Sequence, residues 1–519
     1  MHFNGKTKLL MGLGSGLVSI FSLMGFGGGF RMITNMEVSK LKILEPGTKA
    51  YELWETPASS SYLGFYFFNL TNAEEFSNGA KAILREMGPY IYRVNWQRKD
   101  VTPDSENGTL RYRTVKTFFF DDELTDGSET DRISIVNVML IATASMARKT
   151  VEDKYLLRQL DKILTSKGGK LILTGTVRQL LFDGVPLPSY TAIFNNHVIK
   201  ENAEDLGIDM PKEMKHGKFA LLKNKNGTEE DWLTIKTGRE DAMEAGTVTL
   251  YKDQSELDVW SDSSCNALNG TDGTAFPPHI TKESILQVFS PAMCRSFNMI
   301  FHKDSKVSKT PTLAFATDQE TWKAPKTNPS NNCFCPSGKA GEQKSCDRDG
   351  IVDVGPCSEG APLLLSQPHF VGGEESLLQD VEGMEPDFEK HVSLFDLEPI
   401  TGTLMKSSSR MQFNVELVPN EDMPTFAKVK RAIVPFVWTE ETITAGEVEL
   451  ASLSSILLLD TIFSVTHFIF IGLGAVLIGQ ALIMAKKSKN HASPVKPFNN
   501  SDILKSGVSD ISKETAFTY

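Results

Sequence analysis

The sequence predicts an α+β domain held outside the cytosol between two membrane-spanning helices. Three observations predict it. Each end of the chain carries a long run without fixed charge. The middle gathers all six cysteines and four glycosylation sequons, and it mixes aromatic, strand-like runs with one stretch of helical spacing.

The end runs come first. Leu9 to Phe30 is 22 residues without a charge, preceded by Lys6 and Lys8. Thr461 to Ala485 is 25 residues without an acid or a fixed base, followed by Lys486, Lys487 and Lys489. About 20 apolar residues in a helix cross a hydrocarbon core of roughly 30 Å, so both runs are long enough. Lysines lie outside both, and the positive-inside tendency then places both termini in the cytosol. The expected organisation is a cytosolic N-terminus (1–8), a span (9–30), an extracellular or lumenal domain (31–460), a second span (461–485) and a cytosolic tail (486–519). A cleaved signal peptide is the rival reading of the first run, with Gly27, Gly28 and Gly29 near a cleavage point. Its length favours an uncleaved anchor, since signal cores are typically 7–15 residues.

Sequons and cysteines support the same topology. Asn69-Leu-Thr, Asn107-Gly-Thr, Asn226-Gly-Thr and Asn269-Gly-Thr lie in the middle segment, while Asn499-Asn-Ser falls in the tail and should stay bare. Cys265, Cys294, Cys333, Cys335, Cys346 and Cys357 fall within residues 265–357. An even, clustered set outside the cytosol reads as three disulfides. Zinc is the weaker alternative, because Cys333-Phe-Cys335 is too tight for the usual knuckle and His302 is the one histidine between Cys294 and Cys357.

Along the middle segment, Tyr62–Asn69 is dense in strand-favouring aromatics. Lys116–Phe120, Thr247–Tyr251, Met411–Val418 and Ala432–Trp438 are further strand candidates. From about Ile133 to Phe182 the texture changes, and Lys154–Leu164 has apolar residues at 156, 157, 160, 163 and 164, a helical spacing ended by Gly168-Gly169. Thr321–Asn332 and Pro336–Gly350 read as loops tied down by cysteines. No long linker divides this segment, so one large domain is simpler than two. The tail is rich in Ser, Lys and Asn and reads as disordered.

Composition excludes some functions. A net charge of −11 offers no basic field for nucleic acid. The chain has no zinc-protease, nucleophile-elbow or phosphate-loop motif. Acidic runs such as Asp121-Asp122-Glu123 read as solvated faces, and His369 and His391 read as structural. A receptor or carrier is therefore the better expectation, with no catalytic residue, cofactor or metal assigned.

A series of motifs then carries a family resemblance. In order they are Pro46-Gly-Thr with Trp54, Phe65-Tyr-Phe-Phe-Asn69-Leu-Thr-Asn72, Glu86-Met-Gly88-Pro89-Tyr90 and Lys116-Thr-Phe-Phe-Phe-Asp121. Thr176-Val-Arg178-Gln-Leu-Leu181, Asn269-Gly-Thr-Asp272, Phe276-Pro-Pro278 and the cysteine set follow, then Pro368-His369-Phe370 and Glu398-Pro-Ile-Thr-Gly402. Over nearly its whole length the chain resembles the class B scavenger receptors, which include the fatty-acid translocase, lysosomal integral membrane proteins, croquemort and sensory neuron membrane proteins. The resemblance implies an antiparallel β-barrel-like ectodomain with a helical bundle at its apex, here about 133–182, and a hydrophobic tunnel delivering lipid toward the bilayer. It implies the bridges Cys265–Cys333, Cys294–Cys357 and Cys335–Cys346. Lipids, lipoproteins or apoptotic-cell surfaces are the implied ligands.

Anionic ligands would favour lysines at the apex, and Lys162, Lys167 and Lys170, with Lys149 and Lys154 nearby, supply them; a solvated helix face is the competing reading. No cysteine lies in a tail or span for palmitoylation, and Asp502-Ile-Leu504 lacks the usual acidic spacing of a lysosomal sorting signal. The expectation is thus a plasma-membrane lipid-uptake receptor, with a lysosomal trafficking receptor or a sensory co-receptor for hydrophobic odorants as alternatives. Phe517-Thr-Tyr519 is a candidate PDZ ligand, and a homo-oligomer is a further candidate assembly.

Overall fold

Aromatic density at the start of the middle segment yields a central strand. β1 (Ser60–Leu70) buries Phe65, Phe67 and Phe68, and its pairing with the next strand bulges between Phe65 and Phe67. The molecule, here a computed structural model, describes residues 18, 29–166, 168–187, 217–336, 344–358 and 361–490. It divides into two compact units: residues up to Thr34 together with those from Leu458, and Asn35–Leu457.

The larger unit is built on one 14-stranded sheet, antiparallel along its main path. β2 (Ala82–Asp104) and β3 (Thr109–Phe120) extend from β1, and a short antiparallel pair, β4 (Arg132–Val136) with β5 (Ile172–Thr176), stands apart. Another small pair is β6 (Val185–Pro186) with β7 (Lys218–Phe219). The sheet resumes with β8 (Leu233–Lys236), β9 (Val248–Tyr251), β10 (Leu286–Ser290), β11 (Arg295–Val307) and β12 (Thr310–Thr317). β13 (Val352–Asp353), β14 (Leu363–Ser366) and β15 (Val381–Glu382) attach at its sides, and β16 (Leu394–Glu398), β17 (Thr403–Leu417) and β18 (Ala432–Thr444) complete it. The main order is β10-β11-β12-β16-β17-β18-β1-β2-β3-β8-β9.

The two ends of this path nearly meet. Thr271 bridges Thr247, beside β9, and also Val288 in β10. Val248 N–H donates to Gly270 O (2.9 Å), Thr271 N–H to Gln287 O (3.0 Å) and Phe289 N–H to Thr271 O (2.9 Å). One two-residue stitch thus protects both edges of an almost closed barrel. Gly270 is required there: its φ is +86°, and a Cβ would fall 2.1 Å from Gln287 O.

Strands, rather than helix alone, bound the segment expected to be helical at 133–182. Between β4 and β5 lie α3 (Val138–Thr150) and α4 (Lys154–Ser166), with α1 (Gly29–Lys40) and α2 (Lys49–Glu55) earlier in the chain. Asn137 caps α3 by accepting from Leu140 N–H, and Asp153 accepts from Tyr155 N–H at 2.7 Å as α4 begins. Leu157 and Leu164 of α4 are buried against the core that β1 founds. The two segments expected to be loops contain 3₁₀ turns at Gln319–Trp322, Pro329–Phe334 and Ser345–Asp347.

In the smaller unit, helix α5 (Glu447–Asn490), whose first residues belong to the larger one, runs 44 residues, about 66 Å at 1.5 Å per residue. Val18 lies against it at Gly474. Counted over the described residues alone, no helix is long and apolar enough to cross a membrane. The run 461–485 lies in α5, with several of its side chains outside the described set, and the run 9–30 lies outside it except at Val18, Gly29 and Phe30.

Candidate functional site

A cavity of about 200 Å³ lies between the segment that follows α1 and the one that leads into α5. Leu41, Leu44, Leu53, Trp54, Ile443 and Leu453 form much of its wall. α2 presents Trp54 because Thr48 caps the helix, its hydroxyl accepting from Tyr51 N–H at 3.1 Å. The Trp54 ring meets the edge of Tyr112 at 5.0 Å, and the Arg98 guanidinium lies 4.3 Å over it.

A buried polar network holds this wall in place. Arg98 donates to Trp54 O and to Thr274 Oγ1 (2.9 Å) and lies 3.5 Å from Asp272. Asp272 also accepts from Tyr112 Oη at 2.8 Å and from Thr274 N–H at 2.9 Å. Gly402–Leu404, at the end of the Glu398–Gly402 turn, form another part of the wall. Glu398 accepts from Ile400 N–H, Thr401 N–H and the Thr401 hydroxyl, and Gly402 (φ +65°) leaves no room for a Cβ, which would sit 2.0 Å from Pro277 O.

Along this wall are charges the sequence does not flag. Lys42 lines the cavity and is 9% exposed. Burial pulls its pKa down to about 8, opposed by Glu398. Glu449 accepts from Ala58 N–H at 3.0 Å through one carboxylate oxygen, while its other oxygen is buried without a partner, as is Trp54 Nε1.

The cysteines form three bridges, Cys265–Cys333, Cys294–Cys357 and Cys335–Cys346. They pin the 3₁₀ turn at 329–334 against Trp260, whose indole donates to Cys294 O at 2.7 Å and meets the Phe334 ring edge-on. Arg295 stacks 3.6 Å over Phe334, donates to Asn331 and has its pKa pulled down to about 10 by burial. Of the sequon asparagines, Asn107, Asn226 and Asn269 are exposed. Asn69 is half-buried, its side-chain oxygen accepting from Ser134 N–H at 2.8 Å. Asn499 lies outside the described residues.

Among the apex lysines, Lys162 and Lys170 are exposed and Lys167 lies outside the described residues. Lys154 and Arg158 pair with Asp422 at 3.6 and 3.3 Å. Among the described residues, no apex lysine lines the cavity at Trp54.

Residues 12–485 match the CD36 family. The chain belongs to the CD36 family. It is 28% identical to scavenger receptor class B member 1 of Rattus norvegicus, over 88% of this chain and 85% of that one. It is 29% identical to sensory neuron membrane protein 1 of Apis mellifera (93% and 92%) and 27% identical to lysosome membrane protein 2 of Rattus norvegicus (86% and 87%). As a CD36 family chain it is a membrane receptor of scavenger type and not an enzyme.

The family motifs now have physical content. Trp54 and Gly402 line one cavity, with Asp272 paired to its Arg98 and Pro277 packed against Gly402, which scattered motifs could not announce. Sequence reasoning also missed a second polar cluster, in which the buried His369 and His391 meet the more exposed Glu86. Glu385 N–H donates to His369 Nδ1 (3.0 Å), so the proton of the neutral ring sits on Nε2 and reaches Glu86 at 2.7 Å. Trp438 Nε1 donates to the same carboxylate oxygen at 2.7 Å, and the His369 and His391 rings stack at 4.4 Å. Burial raises the Glu86 pKa, but the hydrogen bonds from His369 and Trp438 outweigh it and the net shift is downward. Nothing in residue type or spacing joins Glu86 to His369; the fold alone does.

Proposed function

We propose that this chain is a cell-surface lipid-uptake receptor, anchored by spans at 9–30 and 461–485 with both termini cytosolic, that receives lipid and passes it through the ectodomain interior. The observation that supports this most is the apolar cavity at Trp54, placed at the two points where the chain leaves the barrel for its hydrophobic end segments. A long-chain lipid costs about 0.8 kcal/mol per CH₂ to expose to water, so transfer needs an enclosed apolar surface. The length of α5 and the lysines after Ala485 support the second span. Lys162, Lys167 and Lys170 are assigned to the apex, where anionic ligand surfaces would first be met. Asn69, Asn107, Asn226 and Asn269 are assigned as the glycan-bearing sites.

The test is uptake of fluorescent fatty acid, sterol ester and lipoprotein by cells expressing the full chain, beside Lys162→Glu/Lys167→Glu/Lys170→Glu, with surface staining of both. Uptake above control that falls in the displayed variant is expected. Unchanged uptake in the variant removes the apex lysines from the mechanism. No uptake, with the protein retained in lysosomes, would replace this reading with a trafficking receptor.

A further inference from the structure

Two buried imidazoles hold one exposed stretch of chain. After β15, residues 383–387 lead to a helical turn at Phe388–His391, and Glu385 and Pro386 are exposed. Glu385 N–H donates to His369 Nδ1 and Asp387 N–H to His391 Nδ1, each at 3.0 Å. His369 and His391 are 5% and 6% exposed, and their rings stack at 4.4 Å and 14°. Both neutral rings therefore accept at Nδ1 and carry their hydrogen on Nε2. A proton reaching either ring must go to Nδ1, the atom that holds the chain. The acceptor then becomes a donor facing a backbone N–H. A side-chain amide oxygen would accept at every pH, whereas imidazole accepts only while neutral.

The surrounding charges bear on where such a proton is tolerated. Glu86 of β2 lies 2.7 Å from His369 Nε2 and would balance an imidazolium there. Arg410 of β17 opposes charge on His391, but it is itself paired with Glu440 of β18 at 2.6 Å. Tyr66 of β1, stacked on Trp438, is kept neutral by burial and by Glu440. On the outer side Glu385 is exposed, and Asp387 accepts from Glu389 and Lys390 N–H to cap the turn. His302 and Lys303 of β11 meet that turn at Phe388 and Glu389. Burial, and then His369, pull the His391 pKa down to about 4.

We propose that residues 383–388 form an acid-released strap, seated on His369 and His391 at neutral pH and let go when either ring takes a proton on Nδ1. Release uncovers the two rings and gives the chain a second conformation in acidic surroundings. The ends of the strap stay tied, by the pairing of β15 with β2 and by the Lys303–Glu389 ion pair at 2.7 Å, so the change is local. A released His391 titrates near 6.5 and a seated one at about 4, so the seated state is fully favoured above 6.5 and loses ground as pH falls. Between pH 7.5 and 5 the opening equilibrium should rise by up to about 30-fold.

The test is amide hydrogen exchange of the full chain in detergent micelles, without added lipid, at pH 7.5 and 5. Labelling times are scaled for the intrinsic pH dependence of exchange. Fragmentation of the peptide covering 381–393 reads the Glu385 and Asp387 amides separately, with amides of β1 and β18 as the reference. Protection at Glu385 and Asp387 should fall by about tenfold or more at pH 5 while the reference holds. His391→Gln, whose amide oxygen does not titrate, should keep Asp387 protected to within about threefold over the same step. Unchanged protection of both amides in the wild type overturns the strap. An equal loss in β1 and β18 also overturns it, by making the acid response global. A response at Asp387 that survives His391→Gln removes the imidazole as its sensor. The wild-type comparison is decisive even where the variant fails to fold. Because no lipid enters the experiment, either result leaves the lipid-uptake reading as it stood.

Discussion

Asp272→Ala should destabilise the barrel by about 3–5 kcal/mol, the cost of removing one partner from a buried ion pair. The side chains of Arg98 and Asp272 are 2% and 8% exposed, so water cannot replace the lost carboxylate. The substitution also strips an acceptor from Tyr112 Oη, Thr274 N–H and the Thr274 hydroxyl. Asp272→Asn keeps the shape and drops the charge, and should cost about 1.5–3 kcal/mol. For a unit of roughly 420 residues the entropy of unfolding is about 0.9 kcal/mol/K, so Asp272→Ala should lower the melting temperature by about 3–6 °C. Intrinsic fluorescence of the detergent-solubilised full chain at one fixed scan rate measures it, since unfolding of a disulfide-bonded protein need not reverse. The double variant Arg98→Met/Asp272→Leu should recover part of the loss through the coupling that a thermodynamic cycle isolates. An Asp272→Ala protein melting within 1 °C of wild type would refute the claim that this pair holds the cavity wall.

Gly402→Ala should lower the melting temperature or trap the protein before the cell surface, because its φ of +65° and the 2.0 Å approach to Pro277 O leave a methyl no place; normal display and stability would remove the turn's steric role. Acidification should destabilise the domain through His391, whose pKa is lowered to about 4 by burial and by His369. Its unfolded value is near 6.5, so its contribution is fully present above that pH and declines as pH falls toward 4, by at most about 2 kcal/mol at pH 5. His391→Gln should flatten the difference in melting temperature between pH 7.5 and 5, and an unchanged difference would move the effect elsewhere. Replacing Asn107, Asn226 or Asn269 by Gln should each remove one glycosidase-sensitive mass step, whereas Asn499→Gln should remove none; a glycan at Asn499 would invert the proposed topology.

How much could be read in advance depended on how local each feature is. β1 was legible because its aromatics are consecutive, and α4 because the spacing of Leu156, Leu157, Leu160, Ile163 and Leu164 is a property of one stretch. α3 was not legible. Leu140, Ile141, Ala142, Thr143 and Ala144 are all buried, so no polar stripe marks a helical period. β2 escaped for the opposite reason: it is 23 residues long, interrupted by Gly88-Pro89 and rich in polar side chains. Its length is fixed by neighbours, since β1 pairs with its first part and β3 with its second. The cavity was the least legible feature. Its walls come from separate stretches around residues 41–59, 96–98, 274–275, 402–404 and 443–453, and Lys42 and Arg98 look in sequence like any solvated base.

The motifs that carry the family likeness concentrate on structure around the cavity and on closure of the barrel more than on the exposed apex. Asp272 orders Arg98, Arg98 lies over Trp54, and Gly402 lets its turn close on Pro277. One residue upstream of Asp272, Thr271 stitches β9 to β10. The sequon Asn269-Gly-Thr271 therefore spans both the seam and the exposed Asn269, and its Gly270 is held by backbone geometry whether or not Asn269 is modified. A receptor that only displayed an apex would not need buried charge beside its chain exits. A receptor that also guides a lipid through its interior needs walls that stay open under hydrophobic collapse, and a buried, hydrogen-bonded ion pair is rigid where an aliphatic wall could repack. On that argument the pair at Arg98 and Asp272 keeps the cavity at Trp54 in shape.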